Sequence, residues 1–216
     1  MRVGTSKNAK QQVRRLTKDK HVRKHNSRTI PKRDMVQLLS DAVAGAWSVD
    51  APKSAQNMQL CNLKLDGKTA VVQLVSKDSL GSITTPWRPS LYKGTGLESR
   101  VTVTFSIPEE VRVLMETIEE KIREGLKKHV PRIESLWHST VKPEEKHPCS
   151  MKSKIVISGE DACPCFNSKG DKVPMPTEWT GLSVIPIIEF RAVYLQKTQG
   201  GLVSEVVGLL VVTSNL

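Results

Sequence analysis

Aromatic residues make up only 4% of the 216 residues, and cysteine occurs four times, as Cys61, Cys149, Cys163 and Cys165. Four thiols in a chain of this length are too sparse for a disulfide scaffold, so reduced thiols are expected. No apolar run approaches the ~20 residues that cross a bilayer as a helix, and no basic-then-apolar leader opens the sequence. The expectation is a soluble intracellular protein with no membrane partner. Catalytic signatures are missing as well. There is no phosphate-cradling glycine loop, no GxSxG elbow, no HExxH, and no HxE followed by PCxxC. An enzyme reading has no residues to rest on.

Acid is nearly absent from the first 33 residues, which carry twelve Lys and Arg against Asp19 alone. That arm is +11, equal to the net charge of the whole chain, so residues 34–216 hold 21 basic and 21 acidic groups. The excess is concentrated in Arg14, Arg15, Lys18, Lys20, Arg23, Lys24, Arg28, Lys32 and Arg33, together with Arg2, Lys7 and Lys10. A block of like charge resists packing into a core and gathers at polyanions, which makes nucleic acid its first candidate partner. Residues 7–25 place only Ala9, Val13, Leu16 and Val22 among the charges, too thin an apolar face for a lipid surface. The alternatives for the arm are a solvated tail, a nuclear address or a mitochondrial transit peptide, whose basic, acid-poor composition it shares.

Residues 34–216 read as one β-rich domain. Pro31 followed by Met35, Leu38, Leu39, Ala42, Val43 and Ala46 at helical spacing predicts a helix over 31–47. Residues 57–75 predict a hairpin turning at Asp66-Gly67, and residues 79–96 predict an ordered loop. Strict alternation predicts a strand over 101–107, with Val101, Val103, Phe105 and Ile107 inward and Thr102, Thr104 and Ser106 toward water. A helix over 109–129 follows, with acids in its first turn and lysines in its last. Strands are expected at 152–158, 183–195 and 202–213, with Pro186 confining the second of them to an edge or a bulge. Runs of strands around one long helix point to an α+β, mainly β fold, or a small barrel.

One cluster has the composition of a metal site, His147-x-Cys149 with Cys163-x-Cys165. A CxC pair stiffened by Pro164 cannot present two thiolates as a CxxC knuckle does, so thiols without zinc and a chain without cofactor are expected. Basic and aromatic residues carry more. Single strands are bound by cations along the backbone and aromatic faces under the bases. Trp87 with Arg88, Tyr92 with Lys93, Lys152, Lys154, Phe166, Trp179 and Arg191 supply both ingredients. Phe190 and Tyr194 share a strand face with Ile188 and Ala192 and read as core.

The succession ITTPWRPSLYKGTG, VTVTFSIPEEVRVLMETIEEKI, KSKIVIS and CFNSKGDKVPMPTEWTGLSVIPIIEFRAVYLQKTQGGLVSEVVGLLVV, over about residues 80–213, resembles the single-stranded-DNA-binding proteins of large eukaryotic DNA viruses. More remotely it is similar to the replication single-strand binders of bacteriophages. The resemblance implies an OB-like antiparallel barrel with one long inserted helix, and single-stranded DNA binding in viral replication or recombination, in a host nucleus or cytoplasm. Two other readings fit the basic arm. One is a virion structural protein, capsid or core, that assembles as a homo-oligomer and contacts the genome. The other is a component of a ribonucleoprotein particle.

Overall fold

Two-residue turns organise the amino-terminal half of the chain. The computed structural model describes residues 36–75, 83–90, 99–143 and 148–212, and the basic arm lies outside them. Strands β3 (Lys53–Ala55) and β4 (Met58–Leu65) are joined by Gln56-Asn57, and β4 and β5 (Lys68–Gln73) by Asp66-Gly67. Asp66 and Gly67 have φ of 52° and 75°, the left-handed pair that suits the twist of a tight hairpin. The Asp66 carboxylate also accepts from Ala46 N at 2.8 Å and from Gln37 Nε2 at 2.8 Å. These two hydrogen bonds, the backbone one foremost, hold its carboxyl below the usual range.

The helix expected over 31–47 is corrected. Among the described residues Val36–Leu38 is a strand, β1, and only Leu39–Ala44 is helical, α1, before Trp47–Val49 resumes as β2. Leu39 and Ala42 do face the core, so the apolar spacing is used, but for less than two turns. The reason is tertiary. Val36, Gln37 and Leu38 pair in parallel with Val71, Val72 and Gln73, and those ladder bonds outcompete the modest propensity of a short helix.

Helix α2 (Glu109–Lys127) follows β7 (Arg100–Ser106) directly. Pro108 precedes it, Glu109 and Glu110 occupy its first turn and Lys127 its last, each suited to the end of the dipole it meets. Arg112 pairs with Glu109 and Glu116 along the exposed face. Val111, Met115, Ile118, Ile122 and Leu126 form the buried stripe, and Glu119 is buried among them. A single turn, α3 (Ile133–Leu136), comes next.

The remaining strands are β6 (Thr84–Thr85), β8 (Val141–Lys142), β9 (Ser150–Val156), β10 (Cys165–Phe166), β11 (Lys172–Val173), β12 (Leu182–Leu195) and β13 (Gly200–Val211). The thirteen strands among the described residues belong to one mixed sheet. It is not the purely antiparallel barrel expected, because β1–β5, β9–β13 and β10–β13 run parallel. The 14-residue β12 is its spine. One edge of β12 pairs with β13 along its length, and the other takes β6, β5 and β4 in succession. Pro186 lies inside this spine, beside a register shift at Ile187/Ile188, which is how an interior strand tolerates it. Within the sheet the pairings β12–β6, β6–β7, β7–β9, β9–β13 and β13–β12 return to their starting strand. Phe105, Met151, Ile155, Ile188, Phe190 and Val206 from these strands belong to the buried core. Trp47 meets Phe190 edge to face at 6.1 Å.

Candidate nucleic-acid interface

The register of β7 on β9 decides which side chains share a face. Val101 lies opposite Ile155, Val103 opposite Ser153 and Phe105 opposite Met151, all buried. The alternate pairs, Thr102 with Lys154 and Thr104 with Lys152, therefore face outward. Lys154 Nζ donates to Thr102 Oγ1 at 2.7 Å, which holds that ammonium over the sheet.

On the other edge of β7 the chain leaves β6 and runs alongside. Thr84 opposes Ser106, and Ser90 opposes Thr102 with both backbone bonds formed, at 2.8 and 3.0 Å. Six steps along one chain thus match four along the other, so two surplus residues bulge out. The segment that accommodates them contains Trp87, 52% exposed, and Arg88. Arg88 meets Glu178 at 3.0 Å and holds that carboxyl below its usual range, an exposed pair of small energetic worth.

Beyond β9, β13 brings Glu205 level with Lys154. Glu205 is wholly buried beneath two guanidinium groups. Its Oε2 accepts from Arg100 Nη2 at 2.8 Å and from Arg191 Nη1 at 2.8 Å, while Arg191 Nε reaches Glu189 at 3.1 Å. The outward face from the Trp87 bulge to β13 spans three strand spacings, about 14 Å. Among the described residues it carries the cations Arg88, Arg100, Lys152 and Lys154 against the carboxylates Glu178 and Glu205, and Arg191 and Glu189 adjoin it on neighbouring β12. An exposed indole beside a positive, hydroxyl-bearing strip is the equipment for holding a sugar–phosphate chain with unstacked bases.

The other expected site residues are elsewhere. Trp179 is 5% exposed and packs in the core, its carbonyl accepting from the Thr85 hydroxyl, so its faces are not open to a base. Phe166 is half-buried on β10, opposite Leu210, five residues and about 16 Å along β13 from Glu205. Tyr92, Lys93, the arm residues and His147 lie outside the described residues. Tyr194, read as core from its strand face, is half-buried and lines a cleft. Arg100 and Glu205 escaped the sequence reading, although one acid within LVSEVVGLL signals a buried charge that needs a cation.

Of the four metal-type residues, Cys163 and Cys165 are buried, the first thiol against Pro164 O and the second against Met175 Sδ, each at 3.7 Å. No three His, Cys, Asp or Glu converge as a metal site among the described residues. Burial pushes the Cys165 thiol up to about 11, and burial with the Asp50 charge does the same for Cys61. Both should stay protonated at pH 8. Iodoacetamide at that pH should therefore label half-buried Cys149 well before Cys61 and Cys165 in the folded protein, as read by peptide mass spectrometry. Raised thiol pKa values contribute stability that is complete below pH 9 and lost as pH climbs toward 11. Equal labelling of all the thiols in folded protein would contradict the burial.

No family model matches the sequence, and no curated protein matches it. The fold is similar to that in the crystal structure of gp2.5, a single-stranded DNA binding protein encoded by bacteriophage T7, with a TM-score of 0.47 and 12% identity, covering 68% of this chain and 88% of that one.

Proposed function

We propose that this is a non-enzymatic nucleic-acid-binding protein that holds a single strand, DNA in the first instance, across the outward face of β7, β9 and β13. The observation that carries the proposal is the register that sets Lys152 and Lys154 beside Thr104 and Thr102, with the Trp87–Arg88 bulge on the far edge of the same strand. In this reading the five-strand circuit is an OB-like barrel with α2 inserted between β7 and β9. The strip supplies stacking and local backbone contacts, and the arm neutralises further phosphate. A role in viral replication or recombination belongs to the same proposal.

The test is a fluorescence titration of a short oligonucleotide at two salt concentrations. Trp87→Ala should lose about 1–3 kcal/mol of affinity, the worth of one stacked base. The double variant K152A/K154A should lower the log–log salt slope by about 1.4, two single-strand phosphate contacts. Folded variants with unchanged affinity and slope would remove the strip from the proposal. The division between a +11 arm and a neutral body favours a second reading, a genome-binding shell protein. Light scattering separates the two, since large closed particles that form without oligonucleotide point to the shell.

A further inference from the structure

The edge of β9 that carries β13 does not carry it throughout. Lys154 and Ile155 pair with Glu205 and Val206 in parallel. Continued in register, Gly201 would come level with Ser150. Instead Lys142 of β8 occupies that place, opposite Ser150, with Val141 opposite Met151. β8 is wedged between β9 and the start of β13, and the two strands splay apart around it.

The splay leaves a cleft of about 440 Å³, within the range of small-molecule sites. Lys142 and Lys152, His138, Thr140, Tyr194 and Gly201 are among the residues that line it, and none of the described residues lining it is acidic. Tyr194 and Gly201 are cross-strand partners. A Cβ at Gly201 would sit 2.9 Å from His138 O and 3.1 Å from Tyr194 Cε1, so only glycine lets the phenol ring lie this close over the strand.

The opposite wall is fixed from beneath by α2. Buried Glu119 accepts from Trp137 Nε1 at 2.9 Å and from Thr140 N at 2.7 Å, using both carboxylate oxygens. His138 N donates to Gly200 O at 2.8 Å. Arg123 sits 5.9 Å over the Trp137 ring. The wall is thus held before any ligand arrives, which spares the ordering cost of binding. Lys152 belongs both to this cleft and to the outward strip, so the two positive surfaces are continuous.

We infer that the cleft takes one nucleotide of the bound strand, its base against the Tyr194 ring and its phosphate neutralised by Lys142 and Lys152. The inference rests on the strip reading for the path of the strand, but the cleft can be tested separately. The experiment titrates thymidine 5′-monophosphate, thymidine and inorganic phosphate into the full chain, followed by amide NMR.

The monophosphate should shift His138, Thr140, Tyr194 and Gly201 saturably, with phosphate, which lacks the base, binding about tenfold more weakly and thymidine, which lacks both lysine contacts, about a hundredfold more weakly. Lys142→Ala, which leaves the strip intact, should weaken the monophosphate about tenfold, the loss of one charge-assisted hydrogen bond. Tyr194→Leu should weaken it similarly by removing the flat face, while Tyr194→Phe should not. If Tyr194→Leu fails to fold, the Lys142 variant still decides. Phosphate binding as tightly as the monophosphate would overturn the assignment of a base-binding site. So would a silent cleft in a protein whose oligonucleotide affinity still depends on Trp87 and Lys154, and that result would leave the strip reading standing. The reverse result, a filled cleft with oligonucleotide affinity indifferent to Trp87 and Lys154, would uphold the cleft and remove the strip.

Discussion

Removing both guanidinium groups from Glu205, as R100A/R191A, should destabilise the protein by about 3 kcal/mol, the lower end of the cost of breaking a buried ion pair. The lower end applies because Arg100 and Arg191 stay partly in water, with side-chain exposures of 48% and 35%, while Glu205 has none. Single variants should cost less, since each leaves the carboxylate one guanidinium. The informative comparison is a third substitution. Adding Glu205→Leu to the double variant should recover most of the loss, because an apolar side chain needs no partner on a strand whose neighbours are Val206 and Ser204. Urea unfolding reads all of these. A double variant as stable as the wild type, or a triple variant no better than the double, would show that the buried carboxylate is not what the two arginines stabilise. The same array ties β7, β13 and β12 together on the outward face, so the double variant should also weaken oligonucleotide binding.

Deleting residues 1–33 should flatten the salt dependence of binding more than any substitution in the body. The deletion removes twelve cations and one acid, the whole net charge of the chain. If six of those cations meet phosphate, the log–log slope falls by about 4, roughly 300-fold in affinity across a fourfold range of salt. The arm's contribution should be indifferent to base sequence. The truncated protein should retain its preference for single strands over duplex, because stacking on Trp87 needs unpaired bases. Undiminished affinity and an unchanged slope would make the arm an address or a docking peptide. Complete loss of binding with assembly intact would favour the shell reading.

Much of the strip was legible residue by residue, but its composition was not. The alternation of VTVTFSI puts Thr102 and Thr104 on the wet face of β7 and buries Val101, Val103 and Phe105. The KSK triplet similarly divides Lys152 and Lys154 from buried Ser153. What alternation could not give is that these two strands are neighbours with Lys facing Thr, since pairing partners 50 residues apart are chosen by the whole sheet. Trp87 and Trp179 show the same limit from the other side. Both sit in loops rich in proline and glycine, yet a two-residue bulge leaves the first at the surface while the turn into β12 buries the second.

By itself the sequence determined whatever depends on near neighbours in the chain. Examples are the Asp66-Gly67 turn, the alternating faces of β7, the buried stripe of α2 and the charge division between arm and body. These follow from local backbone sterics, from the 2.0 and 3.6 residue periods, and from simple counting of charges. Tertiary structure alone decided what depends on the distant partner. Val36–Leu38 became a strand because β5 was there to receive it. Glu205 could be buried because Arg100 and Arg191 arrive from two other strands. The cleft beside Tyr194 exists because β8 takes the place on β9 that β13 would otherwise fill. In each case the backbone or charged group has more than one way to satisfy its bonding, and only the assembled sheet fixes which is available.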